Sequence, residues 1–331
     1  MDGSDLARRL VERERVAIGK ALSLVENRRA DTVPRILELL TALHEGQHTV
    51  AARRIGFTGP PGAGKSTLVA AVARELRARE RRVGILAVDP TSRRSGGALL
   101  GDRARIDPDA DDEGIFVRSM ASGGDLGGLA RAAASAVEVL AACHDVVIIE
   151  TVGVGQSETD VECVADVTAL VMQPASGDVL QFLKAGILEI PDVFVVNKMD
   201  LGGVAQRTRS ELTAALQTAR AAGVWSQPAV ILGVSARSGQ GIAQLVDALG
   251  RTFDEFGTGA ALASRRTQAA GAWAERMLAR TIGEIGFDAL GGRPAVRSCI
   301  AQQLRGAGLG MRVVADLTAR AVQNLRESAL R

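Results

Sequence analysis

The sequence predicts an α/β fold, a mostly parallel central sheet flanked by helices, with a helical extension at each end. Three observations predict it. Between about 53 and 256, short apolar runs alternate with amphipathic stretches. Residues 1–50 and 257–331 carry helical periodicity and no strand-like run. A glycine-rich segment, Gly59 to Thr67, joins the first predicted strand to the first predicted helix of the middle region. The chain therefore divides into a helical N-terminal extension (1–50), an α/β domain (51–256) and a helical C-terminal arm (257–331).

In the N-terminal extension, Leu6, Leu10, Val16, Leu22 and Val25 recur near helical spacing. Asn27 to Asp31 breaks that run, and Pro34 opens a second helix over Arg35–Leu43, because a first helical turn tolerates proline. The middle region supplies strands at Ile55–Thr58, Val83–Val88, Ile115–Val117, Val146–Ile149, Thr168–Met172, Val193–Val196 and Val230–Val234. Their near-continuous apolar character means burial on both faces, as in a parallel sheet covered by helices. Helices are expected at Ser66–Arg79, Leu126–Ala142, Val179–Leu188, Gln206–Ala222 and Ile242–Phe253. The C-terminal arm reads as Ala261–Ile282, a Gly/Pro break at Gly291–Pro294, then Ala295–Leu304 and Met311–Leu330.

Composition narrows the function. The chain has 331 residues, 47% hydrophobic and 24% charged, which argues against long disordered, collagen-like or fibrous segments. Forty basic residues against 38 acidic ones leave a net charge of +2, and so no electrostatic case for a nucleic-acid binder. Cys143, Cys163 and Cys299 are far apart and form no CxxC pair, which argues against a zinc ribbon or a disulfide framework. His44 and His48 fall four apart, a spacing that puts them on one helix face. Without a HExxH glutamate they read as surface residues, and with His144 they supply no His-rich metal site. No apolar run approaches the roughly 20 residues that span a bilayer. The N-terminus, with Asp2, Asp5, Glu12 and Glu14, lacks the apolar core of a signal peptide. A cytoplasmic protein that meets no membrane is expected.

The segment Gly59-Pro60-Pro61-Gly62-Ala63-Gly64-Lys65-Ser66-Thr67 matches GxxxxGK[ST]. Its glycines allow backbone N–H groups to turn around phosphate oxygens, and the helix N-terminus adds positive partial charge. Lys65 is placed to reach the β- and γ-phosphates and the Ser66 hydroxyl to ligate Mg²⁺. Lysine is scarce here: only Lys20, Lys65, Lys184 and Lys198 stand among the basic residues. A position that keeps Lys in so Arg-rich a chain calls for a compact ammonium rather than a planar fork. Three acids could support the metal: Asp89 at the end of one strand, Glu150 at the end of another, and Asp102 in the Gly-rich segment after Asp89. Glu150 opens the run Thr151 to Glu158, whose glycines suit a γ-phosphate-sensing loop.

Asn197-Lys198-Met199-Asp200 closes the strand Val193–Val196 and matches NKxD. The Asp200 carboxylate can accept from guanine N1–H and N2–H₂, a donor pair that adenine lacks. Ser235-Ala236-Arg237 follows the next strand and can offer a backbone N–H to guanine O6. These features point to GTP and GDP, with Mg²⁺, rather than to ATP.

With these motifs the chain resembles the MeaB/ArgK/MMAA family of P-loop GTPases. The resemblance rests on Val88–Ser92, Ser95–Arg105, Glu150–Glu158 and Asn197–Asp200, and it extends over the helical ends. It implies a chaperone that associates with adenosylcobalamin-dependent methylmalonyl-CoA mutase and uses GTP hydrolysis to gate cofactor loading, protection or reactivation. The family pattern assigns Lys65 and Ser66 to the phosphates and Mg²⁺, and Asp89, Asp102 and Glu150 to the metal and hydrolysis region, so that Lys65, Asp102 and Glu150 are the candidate catalytic residues. It assigns Pro174–Glu189 to a partner-responsive loop. Pro60-Pro61 departs from the pattern, since a second proline removes a loop N–H. Two other readings are a metal-insertion GTPase, which the sparse His and Cys content disfavours, and an ArgK-like kinase or ATPase linked to amino-acid transport, which Asn197–Asp200 disfavours. The arm is expected to form a homodimer through the apolar face of Ala261–Ile282, with Leu262, Ala269, Trp273, Met277 and Leu278, and with Trp273 as a buried anchor.

Overall fold

The computed structural model describes residues 2–27, 29–89, 112–121, 132–151, 161–174, 191–223, 230–256, 259–305 and 309–329. Residues 126–131 of the helix expected at Leu126–Ala142, the helix expected at Val179–Leu188, the run after Thr151 as far as Asp160, Lys184 and most of Pro174–Glu189 lie outside them, as does Asp102.

Seven strands are formed among the described residues: β1 Arg53–Thr58, β2 Val83–Asp89, β3 Ile115–Ala121, β4 Val146–Glu150, β5 Val167–Met172, β6 Val193–Val196 and β7 Val230–Gly233. They make one sheet in the order β3-β2-β4-β1-β5-β6-β7, and every adjacent pair is parallel. The α/β architecture read from the apolar runs is therefore the one the chain adopts. The central strands β4, β5 and β6 are buried along their whole length, as near-continuous apolar runs require.

Register in a parallel sheet needs a pin, because no hairpin supplies one. Here one aspartate precedes each of β4, β5 and β6 and clips the start of a neighbouring strand. Asp145 accepts from Arg82 N at 2.8 Å and returns its own N–H to Arg82 O at 3.0 Å. Asp166 does the same with Arg54, at 2.9 and 2.8 Å, and Asp192 with Thr168, at 2.8 and 2.9 Å. Charge-assisted bonds of this kind are stronger than neutral ones.

The chain clusters into two compact units, one of residues 51–133 and 144–257, the other of 1–50, 134–143 and 258–331. In the first unit, helix α4 (Lys65–Ala78) packs on β1, β2 and β4. Helix α6 (Gly203–Ala221) covers β6 and β7, and α7 (Ile242–Glu255) meets β5 and α4. Leu170, Met172, Phe194, Val196 and Met199 form a core with Ala205, Leu212 and Leu216 of α6. Such full burial of large side chains contributes about 1.5–3 kcal/mol each.

The second unit is helical: α1 (Gly3–Val11), α2 (Arg15–Glu26), α3 (Val33–Glu45), α5 (Ala133–Ala141, at the unit boundary), α8 (Ala260–Ala289), α9 (Gly292–Arg305) and α10 (Gly310–Ala329). The single N-terminal run expected before Asn27 is in fact two helices. Arg13 adopts φ 63°, and Glu14 N bonds back to Arg9 O at 3.1 Å, a left-handed stop that apolar periodicity does not reveal. Glu38 of α3 accepts from Gly3 N at 3.1 Å and caps α1 across 35 residues. Helix α3 ends at Glu45, so His48 is beyond it and the two histidines do not share a helix face. His48 is exposed and His44 partly so, and His144 is buried beside Phe116.

In the arm, the helix expected to end at Ile282 resumes after a kink at Gly283 (φ 60°) and runs to Ala289. The break before α9 is shorter than expected. Gly291 and Gly292 turn the chain at φ 93° and 88°, and Pro294 already sits in the first turn of α9. Of the five residues on the face expected to pair between subunits, four are buried within the single chain and Ala269 is half-buried. Leu262, Trp273, Met277 and Leu278 are 6%, 4%, 4% and 0% exposed, and α9 and α10 pack on their helix. Trp273 lies under Gly310, where an added Cβ would come within 3.1 Å of the indole. A three-helix arm has an interior of its own, and burying the apolar face there needs no second chain.

Candidate functional site

The carboxyl ends of β1, β4, β5, β6 and β7 are adjacent in the sheet, and the residues singled out by sequence sit there. Chain order reverses around β1, and ligands of open α/β sheets bind at such a switch point.

The loop Gly59–Gly64 leaves β1 and enters α4 with no side chain capping the helix. The N–H groups of its first turn are thus available to an anion. Three glycines hold left-handed backbone: Gly59 at φ 138°, Gly62 at 80° and Gly64 at 84°. Two of these positions also need the missing Cβ for close approach. At Gly59 a Cβ would lie 2.1 Å from Val171 O of β5, and at Gly64 it would lie 2.7 Å from Asn197 Nδ2. Pro60 O accepts from Ala63 N at 3.3 Å. Neither Pro60 nor Pro61 has an N–H to donate.

Lys65 is 8% exposed, and its ammonium donates to Gly59 O at 2.7 Å and Pro60 O at 3.1 Å. Ser66 Oγ donates to Glu150 Oε1 at 2.6 Å, joining the first turn of α4 to the end of β4. Glu150 is 5% exposed. Next to it Thr151 N donates to Phe57 O at 3.1 Å, and its hydroxyl lies 3.2 Å from Thr58 Oγ1 beneath the loop. The hydroxyl and carboxylate of Ser66 and Glu150 are hard oxygen donors, suited to Mg²⁺. Asp89 is the last residue of β2, two beyond Ala87, the register partner of Glu150.

The base-motif residues are joined to the loop. Asn197, 2% exposed, donates through Nδ2 to Ala63 O at 2.9 Å, and its Oδ1 accepts from Ala236 N at 3.1 Å. One amide thereby holds the phosphate loop and the loop after β7. Lys198 has left-handed backbone, φ 60°, and its ammonium donates to Gly62 O at 2.7 Å and to Gln173 Oε1 at 2.9 Å. Ser235 is fully buried and donates its hydroxyl to Asp200 Oδ1 at 2.6 Å. That bond, ahead of the Arg237 and Lys198 charges, holds the Asp200 carboxyl below the usual carboxylate range. Asp200 and Arg237 are both exposed.

The structure thus brings together Gly59–Thr67, Glu150, Asn197, Lys198, Asp200 and Ser235–Arg237. Sequence reasoning passed over Thr58 and Gln173, and named Thr151 only as the start of the run after Glu150. The available signal was a polar residue directly at the end of a continuous apolar run, the position already noted for Glu150.

The family model described as methylmalonyl Co-A mutase-associated GTPase MeaB matches residues 18–286. A protein of Pyrococcus horikoshii named as a GTPase is 47% identical over 213 residues, 64% of this chain and 65% of that protein. The mitochondrial methylmalonic aciduria type A homolog of Mus musculus is 37% identical over 272 residues, 78% of this chain and 65% of that protein. The chain thus spans just under two thirds of the length of these relatives. The crystal structure of an LAO/AO transport system kinase superposes with a TM-score of 0.64 at 26% identity, covering 97% of both chains.

Proposed function

Because the chain belongs to the MeaB family of methylmalonyl-CoA mutase-associated GTPases, we propose that it binds GTP with Mg²⁺, hydrolyses it to GDP and phosphate, and serves an adenosylcobalamin-dependent methylmalonyl-CoA mutase as a nucleotide-driven chaperone. The observation that carries the nucleotide reading is Asn197, whose amide bonds the phosphate loop on one side and Ala236 on the other. A base motif and a phosphate motif tied by one residue suit a single nucleotide lying across both.

Each residue then has a role. The N–H groups of the loop and of the first turn of α4 cradle the phosphates, and Lys65 moves from loop carbonyls to phosphate oxygens. Bound Mg²⁺ would neutralise charge that builds on the transferring phosphoryl group. Ser66, Asp89, Asp102 and Glu150 are the residues proposed to hold it. Asp200 reads the guanine edge, with Ser235 fixing its carboxylate, and Lys198 and Arg237 flank the base. The same arrangement favours GTP over the ATP that a transport-linked kinase would use.

Fluorescent GDP titration with GTP and ATP as competitors, and phosphate release with and without Mg²⁺, test the enzyme. Competition by ATP as strong as by GTP would overturn the guanine reading. Co-purification of the tagged protein with the mutase tests the partner, and no association in either the GTP or the GDP state would overturn it. The arm is the proposed homodimer element.

A further inference from the structure

Gln173 is the residue after β5, and no motif includes it. Its Oε1 accepts from Lys198 Nζ at 2.9 Å, while the same ammonium donates to Gly62 O at 2.7 Å. Its amide also lies beside Gly62, where a Cβ would come within 3.6 Å of Oε1 and 3.8 Å of Nε2. Three sheet ends are thereby joined at one ammonium: β1 through its loop, β5 through Gln173 and β6 through Lys198.

We propose that Gln173 is a positioning residue for guanine-nucleotide binding, holding the Lys198 ammonium against the phosphate loop so that base and phosphate elements bind as one unit. This rests on the guanine-nucleotide reading above. The physical case has three parts. A lysine stem is flexible and loses rotamer freedom when it is fixed. Gly62 O alone occupies one of the three ammonium donors, and a second acceptor in a different direction restricts the stem. The backbone at Lys198 is left-handed, φ 60°, a conformation that its surroundings must hold in a residue with a Cβ, whereas Gly62 takes φ 80° without strain. An apolar residue at 173 would leave the ammonium with one fixed carbonyl and a mobile stem beneath the base.

The test is the dissociation of a fluorescent GDP analogue from the full chain, for wild type, Q173L, Q173E, K198M and Q173L/K198M. Q173L is expected to weaken binding about tenfold, the scale of a hydrogen bond to a charged group at a partly exposed site. Q173E keeps an acceptor of the same length and is expected to stay within about twofold of wild type. In the K198M background Q173L should add less than about twofold, because the shared partner is gone. Thermal unfolding of each variant without nucleotide keeps a folding defect apart from a binding defect. Wild-type affinity in folded Q173L, loss in Q173E as large as in Q173L, or full additivity with K198M would each overturn the inference while leaving guanine binding intact. A wild type that binds no guanine nucleotide would overturn the functional reading and this inference with it.

Discussion

Lys65 and Asp200 show how much chemistry rests on single side chains. The Lys65 ammonium is buried and held by two loop carbonyls, so the folded loop already orients it. Lys65→Ala is expected to lower GTP turnover at least about a hundredfold, measured as phosphate release under saturating GTP, because charge stabilisation is lost where charge develops. Unchanged turnover would remove the loop from the mechanism. Asp200→Asn exchanges an acceptor for an amide donor. It should lower GTP affinity at least about a hundredfold and favour xanthine nucleotide, whose O2 accepts where guanine donates. Equal discrimination between GTP and XTP in wild type and variant would show that another group reads the base. The pH dependence follows from Ser235. Its hydroxyl bonds the ionised form of Asp200 and holds that carboxyl low, so the carboxylate stays charged through the usual carboxylate range. What depends on the charge is present above the ordinary carboxylate pKa and is lost only as pH falls through the depressed value. In Ser235→Ala the acid limb of a GDP-affinity profile should move to higher pH, and an unmoved limb would count against the bond.

At the scale of elements, the aspartates before β4, β5 and β6 are the clearest device. Each sits one residue before an apolar run and pairs reciprocally with a neighbouring strand start. Asp192→Ala is expected to lower unfolding free energy by about 1.5–3 kcal/mol, the usual net worth of a hydrogen bond to a charged group, with the denaturant slope unchanged. A loss no larger than that of an exposed substitution would show that apolar burial alone sets the register of β6. The sequence contained this signal in Asp145-Val, Asp166-Val and Asp192-Val, yet apolar periodicity identifies strands without showing what aligns them. Helix ends show the same limit. The stops at Arg13 and Gln47 are left-handed positions filled by residues other than glycine, so no composition rule marks them.

For the whole molecule, the assembly prediction turns on the arm. With Trp273, Met277 and Leu278 inside the arm, a homodimer has to draw on what remains outside. Ile285 is 72% exposed, and Val322 and Leu325, one turn apart on α10, are 41% and 38% exposed. Asn324 Nδ2 donates to Ala289 O at 2.8 Å, setting this stretch of α10 beside the end of α8. The full chain is expected to scatter light as a dimer at micromolar concentration, and Ile285→Asp with Leu325→Asp to scatter as a monomer. A wild-type monomer, or a double variant that stays dimeric, would dismiss this patch as the contact.

The alternation of buried strands and helices, the phosphate motif between a strand and a helix, and the guanine motif at a strand end are local patterns, and the sequence alone determined them. Their spacing is short, and their chemistry follows from residue type. The ties between distant segments belong to the tertiary structure: Ser66 to Glu150 across 84 residues, Asn197 to Ala63 across 134, and Lys198 to Gln173 at the meeting of two strand ends. The burial of the arm's apolar face was also decided there. An amphipathic pattern states that a face will be covered, and packing geometry alone chooses between a neighbouring helix and a second chain.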